Sequence, residues 1–342
     1  MLNFNLEEEN QTEEKPEFLF ELVEDKGIRV LDPGIRKKID NLNISASMMN
    51  TFLSGAADFI LGKFLEDHIS DKNALHLDRG NWFHATMEHF FDTTEPEERS
   101  LRALVESKKM KDMLLLGKEL TNRKGEKPYA YLYEDPENID WLKTGINNYI
   151  KNMPEQKPEE EKIAVLSLQG SSPKKALELF VRGKLGNSDR NCVAFIDKIV
   201  EGENGLIIQD WKTGKKVNAF DPTQPISEKN PFDYWRQQIF YAMLLEKEGC
   251  IISGGELIFP MSNPPTTVKV DLDPEWRQQV ITDVNNTSRK LDLCIEHDYF
   301  FPFEKGQFNG WSSFLGGKKY GYGKLWNVRY DEIPYFIKGV RN

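Results

Sequence analysis

The chain has 342 residues, of which 39% are apolar and 11% aromatic, enough to fill the core of one large or two ordinary domains. Its apolar runs fall far short of the roughly 18 uncharged residues that span a bilayer, and its acidic start matches neither a secretory signal nor an Arg-rich transit peptide, so a cytoplasmic protein with no membrane partner is expected. The net charge of −10 excludes little, because nine acids and one base within residues 1–25 supply eight of those ten charges and leave every other Lys and Arg available for a local basic groove.

In chain order, residues 1–16 read as a disordered acidic tail closed by Pro16. Over residues 44–65 the apolar side chains Ile44, Met48, Phe52, Phe59, Ile60 and Phe64 recur at helical steps, with Ser45 and Ser47 as candidate caps and an interruption near Gly55. A second helix is expected over about 78–91. Amphipathic periodicity continues over 97–120 and 137–153, separated by the turn-rich stretch 121–128, which suggests a helical insertion over about 92–155. After Pro158 the texture changes. Residues 164–168, 177–184, 192–200, 206–211, 255–261 and 267–272 are short runs rich in Val, Ile and Phe between turn formers, and they predict strands of one sheet. The loop 201–205, with Asn204-Gly205 at its end, predicts a hairpin. Helices are expected after Pro231 and over 274–297. The remainder, 298–342, is aromatic, Gly-rich and locally basic.

Cys192, Cys250 and Cys294 are widely spaced and form no CxxC pair. That pattern suggests neither a disulfide framework nor a thiolate metal cage, and three reduced, buried thiols are expected.

The residues richest in chemistry flank the hairpin loop. Phe195-Ile196-Asp197-Lys198 precedes it, and Ile207-Ile208-Gln209-Asp210-Trp211-Lys212-Thr213-Gly214 follows it. In such a hairpin Asp197 and Asp210 can come side by side, while Asp210 and Lys212, two apart, project from one face. Neighbouring carboxylates invite a hard divalent ion, and Mg²⁺ takes oxygen ligands at about 2.0–2.1 Å, commonly one or two carboxylates with water and substrate phosphate. A lysine beside it can position the attacking water and help to deprotonate it. Taken singly, each acid reads better as a solvated hairpin residue, and it is their context that points to metal ligation.

Asp197 followed by Asp210-x-Lys212 resembles the PD-(D/E)xK nuclease superfamily, and specifically its RecB-like exonuclease branch. Gly80-Asn81-Trp82-Phe83-His84 is similar to that branch's GxxxH helix, Asp210 to Gly214 to its D-x-K-T-G strand end, and Gln237-Gln238-Ile239-Phe240-Tyr241 to its QxxxY helix. Ser45 to Phe52 resembles its serine-containing opening helix. The likeness runs over roughly residues 44–310, in the family's order. It implies an α/β (α+β) fold with a restriction-endonuclease-like core over about 160–297, a mixed central sheet flanked by helices, and the helical insertion. The whole nuclease domain would span 17–310, followed by the extension 298–342.

The resemblance also implies roles. His84, Asp197, Asp210 and the backbone carbonyl of Trp211 would bind Mg²⁺ or Mn²⁺, and Lys212 would position the water. Gln237 and Tyr241, one turn apart, would hold a phosphate or the lysine, and Glu88, one turn after His84, would orient the imidazole or merely face solvent. Many relatives carry a C-P-x-x-F opening and three late cysteines that hold an iron-sulfur cluster. Here the opening reads Gly55-Ala56-Ala57-Asp58-Phe59 and residues 302–317 contain no cysteine, so no iron-sulfur cluster is expected, and packing by Phe59, Trp311 and Phe314 would join the two ends instead. No GxxxxGK[ST] phosphate loop occurs, which implies activity without ATP.

DNA is the implied partner. Lys215 and Lys216 are candidate phosphate contacts, and Lys318 and Lys319 lie in an aromatic, basic run suited to a DNA strand. Arg182 and Lys184 read as a solvated strand face. A single-strand-binding or recombination protein is a compatible further partner. The expected function is metal-dependent DNA exonuclease activity at DNA ends, in recombination, repair or replication, with a phage origin compatible. The alternatives are a non-catalytic DNA-binding or assembly subunit that keeps the fold, and a structure-specific endonuclease or an RNA nuclease.

Overall fold

A computed structural model of the chain describes residues 18–23, 27–53, 55–65, 75–106, 108–109, 112–113, 130–154, 156–217, 219–227, 229–301 and 336–338. The expected acidic tail and the turn-rich stretch 121–128 lie outside these residues, as do Trp311, Phe314, Lys318 and Lys319. Among the described residues no helix is long and apolar enough to cross a membrane.

The chain opens with strands β1 (Phe20–Val23) and β2 (Gly27–Val30), followed by helices α1 (Pro33–Asp40), α2 (Ala46–Phe52), α3 (Ala56–Leu65) and α4 (Leu75–Thr93). Ser45 caps α2 by accepting the Met48 N–H at 3.1 Å, and the break between α2 and α3 falls around Gly55 as the periodicity predicts. Helices α5 (Leu101–Glu106), α6 (Ala130–Glu134) and α7 (Pro136–Asn147) follow, the last ending in one wide π-helical turn at Asn148–Asn152. Then come strands β3 (Val165–Leu166), β4 (Lys174–Lys175), β5 (Leu177–Gly183), β6 (Cys192–Gly202) and β7 (Gly205–Trp211). Helix α8 (Asp233–Lys247), strands β8 (Ile252–Phe259) and β9 (Thr266–Val270), helix α9 (Pro274–Glu296) and strand β10 (Ile337–Lys338) complete the fold.

The central sheet has the order β5-β6-β7-β8-β9. It is mixed: β7 and β8 run parallel and every other pair is antiparallel. A parallel pair needs a crossover, and α8 supplies it, packing back onto the sheet. Consecutive residues of β7 point to opposite faces. Ile208 enters the core closed by α2, α8 and α9, whereas Trp211 enters the one closed by α4 to α7. A third core gathers β1, β2 and α1 to α3 with Leu291, Cys294 and Phe300.

Two expectations are corrected. The run 164–168 touches the central sheet only at its start, where the Ala164 N–H donates to the Ile199 carbonyl of β6 at 2.9 Å; Val165–Leu166 instead pairs with Lys174–Lys175 in a separate ribbon, because β5 occupies the edge of β6 as far as Lys198. Of the side chains expected to join the two ends, Phe59 lies among the described residues and packs on Phe52 with ring centroids 5.8 Å apart, and the ends also meet through backbone pairing, β10 running parallel to β1 and Ile28 bridging Phe300. Cys250 is half-buried, while Cys192 and Cys294 are buried.

One charge is sunk in the helical layer. The Lys198 ammonium is fully buried, lies 2.8 Å from Glu161 Oε2 and 3.9 Å from the centre of the Phe91 ring, and donates to the Tyr149 hydroxyl. Burial pulls its pKa down to about 8 against the opposing attraction of Glu161. Removing one member of such a pair strands the other charge, whereas replacing both by apolar groups is far milder. Lys198→Met is therefore expected to cost about 3 kcal/mol in urea denaturation, and Lys198→Met with Glu161→Met to recover more than half of that loss.

Candidate active site

The site is built where two strands part. The β6–β7 ladder runs from Gly202↔Gly205 as far as Lys198↔Gln209 and stops there. Beyond it β6 stays with β5 to Gly183↔Cys192, and β7 stays with β8 to Trp211↔Ile258. Asp197 and Asp210 are the first residues past the last rung. The Trp211 backbone N–H, which loses a ladder partner there, donates instead to Asp197 Oδ2 at 2.8 Å, so that donor stays paired where the ladder ends.

Helix α4 brings His84 to this fork. Gly80 sits so close to the end of β7 that a Cβ there would meet Thr213 Oγ1 at 3.3 Å, which explains a small residue one turn before the histidine. His84 Nδ1 lies 3.4 Å from Asp197 Oδ2. Burial disfavours the imidazolium, but Asp197 and then Asp210 outweigh it and raise the pKa to about 9. For Asp197 burial is likewise the largest influence, yet His84, Lys212 and the Trp211 N–H together hold its carboxyl below the ordinary range.

The second acid is tied to the lysine. The Lys212 ammonium contacts Asp210 Oδ2, donates to Gln237 Oε1 at 2.9 Å and lies 4.5 Å from the centre of the Tyr234 ring. Gln237 Nε2 in turn donates to the Tyr241 hydroxyl at 2.7 Å. Because α8 is the crossover between β7 and β8, it carries this Gln–Tyr pair back over the strand that bears Lys212. Burial raises Asp210 to about 6 even with Lys212 attached. Burial also opposes the charge on Lys212, but Asp210 more than compensates and raises its pKa. The lysine is therefore an ammonium at neutral pH.

The sequence reading missed one member. Glu178 of β5 stands across from Asp197, between the rungs Leu177↔Lys198 and Leu179↔Ile196. Its φ of 41° is left-handed, a strained conformation for a residue with a Cβ. The kink switches the strand between cores, Leu177 packing in the α4 layer and Leu179 beneath α8. Ligand atoms of His84, Glu178 and Asp197 all lie within 4.8 Å of one another. Asp210 is not part of that trio. Burial first, and then Asp197, push the Glu178 carboxyl up to about 7. Its sequence context carries no signal: the acid reads as one outward position of an ordinary strand until the register that sets it opposite Asp197 is known.

His84, Glu178 and Asp197 border an open cleft of about 630 Å³ that Glu88 and Phe195 also line. The Glu88 carboxyl is raised by its burial and by Asp92. Lys215 and Lys216 are exposed just after β7. The donor set suits a divalent cation: two oxygen donors and an imidazole converge, and like charges are pressed together by a strained backbone.

The chain belongs to the PD-(D/E)XK nuclease superfamily, whose family model matches residues 43–306. No curated protein matches the chain. Among solved structures it is similar to a "Putative exonuclease" from Eubacterium rectale, at 11% identity and a TM-score of 0.44, over 80% of this chain and 88% of that one. It is also similar to the protein SSO0001, at 13% identity and a TM-score of 0.24, over 61% and 84% of the two chains.

The raised Glu178 pKa has a consequence for stability. Between its ordinary value of 4.5 and about 7, the folded metal-free chain keeps a proton that the unfolded chain has released, so stability falls as pH rises through that window. Glu178→Gln is expected to melt a few degrees above the parent at pH 8 without metal and level with it near pH 4. Mn²⁺ should raise the parent's melting temperature more than the variant's. Equal Mn²⁺ shifts would remove Glu178 from the metal-binding set.

Proposed function

We propose that the protein is a metal-dependent DNA nuclease of the RecB-like branch that degrades DNA from its ends, using Mg²⁺ or Mn²⁺ and no ATP. The observation that carries this reading is Lys212, clamped between Asp210 and Gln237 beside the His84–Glu178–Asp197 trio. His84, Glu178 and Asp197 would hold a cation, with Asp210 and the Trp211 carbonyl adjoining. Such an ion supplies positive charge against the phosphate oxygens as negative charge builds on them. Lys212, kept protonated by Asp210, donates a hydrogen bond that orients the attacking water rather than taking its proton. The Trp211 N–H and His84 fix the Asp197 carboxylate, and Gln237, braced by Tyr241, fixes the amine. Lys215 and Lys216 extend positive charge along the exit of β7, where they can meet phosphates. The water oxygen bonds to phosphorus and gives a proton to solvent, the ester P–O bond breaks, and the departing oxygen takes a proton from solvent, leaving a phosphate monoester and a hydroxyl. Roles in recombination, repair or replication, a phage source and a single-strand-binding or recombination partner are compatible with this chemistry.

Purified protein with Mn²⁺ or Mg²⁺ is expected to degrade linear DNA, and Asp210→Asn or Lys212→Ala to reduce the rate by at least about a hundredfold while the fold is retained. Circular single-stranded DNA should survive. Its cleavage would favour an endonuclease, and a mobility shift without cleavage of any DNA would favour a binding subunit.

A further inference from the structure

Phe195, which lines the cleft, and its ring partner Phe180 have no role in the site described above. Phe180 and Phe195 are directly opposed across β5 and β6, with ring centroids 5.1 Å apart. A cross-strand aromatic pair supports a sheet, but these rings remain 43% and 58% exposed, a costly arrangement for Phe if support were their whole task. Past the kink at Glu178, Leu179 and Val181 are buried, and Glu178, Phe180 and Arg182 alternate with them on the outward side. On β6, Phe195 is two residues from Asp197, and both line the cleft. From the paired carboxylates Glu178 and Asp197, then, the next outward step along both strands is the paired rings, and the step after that on β5 is the exposed guanidinium of Arg182. Each step is about 6.6–6.8 Å.

We propose that Phe180 and Phe195 form a stacking platform for an unpaired nucleobase next to the phosphate held over the carboxylates, so that the site receives a single-stranded DNA end. This rests on the nuclease reading and names its substrate. The order of groups matches one nucleotide of a strand: an acidic, metal-holding position for the scissile phosphate, a flat apolar surface for the adjoining base, and a cation for the next phosphate. Bases inside a duplex hide both faces against their neighbours, whereas an unpaired base can lay a whole face on a protein ring. Leu77 of α4, 51% exposed and lining the same cleft, adds apolar surface from the helix side.

The test is equilibrium binding of a fluorescein-labelled single-stranded oligonucleotide, followed by anisotropy with chelator present so that nothing is cut. Phe195→Ala is expected to bind about tenfold more weakly than the parent, Phe195→Trp to bind as well as the parent, and Arg182→Ala to weaken binding and flatten its salt dependence. An oligonucleotide whose terminal residues are abasic should bind parent and Phe195→Ala equally. Equal binding of the intact oligonucleotide by parent and Phe195→Ala would overturn the proposal, as would an equal loss on the abasic one, which would point to a structural role or to contact with a second copy. Circular dichroism melts establish that the variants fold. These results are independent of cleavage: an absence of metal-dependent degradation would sink the nuclease reading, and base-insensitive binding would sink the platform alone.

Discussion

The separation of β6 from β7 governs the rest of the structure. A hairpin that stayed zipped would pair Asp197 and Asp210 in the ladder and leave no room between them. Here β6 follows β5 and β7 follows β8, and the gap is stabilised from within by the Asp197 carboxylate, which accepts the Trp211 N–H that the ladder gives up. The parallel pairing of β7 with β8 draws β7 away, and it also requires the crossover helix that returns Gln237 and Tyr241 to Lys212. One topological choice therefore both opens the site and furnishes its floor.

The site is assembled from groups that repel one another or resist burial. Glu178 and Asp197 face each other, Asp210 is desolvated enough to be raised to about 6, and Glu178 occupies a backbone conformation that other residues avoid. None of this favours folding. The surrounding cores offset it: Trp82, Phe83, Phe90 and Phe91 of α4 are fully buried, as are Ile239, Phe240 and Leu245 of α8. Lys198, the neighbour of Asp197, is locked among Glu161, Tyr149 and Phe91, which restrains β6 at the point where it leaves its partner. Strain held by a rigid frame is the usual condition of a functional site.

Much of this was legible in the residues. The hairpin over 201–205, the Asp210-x-Lys212 strand end and the helices bearing His84 and Gln237 all follow from turn chemistry, periodicity and spacing. Glu178 was not legible, because nothing local distinguishes it from the exposed acid of an ordinary strand. Its position depends on a register with β6 that only the tertiary pairing sets. Strands β1 and β2 escaped for a similar reason: Phe20–Val23 lies in a stretch dominated by acids, and its partner β10 is more than three hundred residues away. The ribbon at Val165–Leu166 has good strand composition, but the place it would have filled was taken. Composition shows what a segment can do, and competition for edges decides what it does.

The groups of the site are drawn from separately packed layers. His84 is carried by a helix whose interior is Trp82, Phe83, Met87 and Phe90, whereas Gln237 and Tyr241 belong to a helix anchored by Trp235, Ile239 and Phe240 on the other side of the sheet. A seam of this kind works as a vernier: an offset of a few tenths of an ångström in either layer, too small to loosen its own packing, is displayed in full where the two meet. Substitutions deep in α4 or α8, remote from any solvent, can thus detune the chemistry while leaving the fold's cohesion intact.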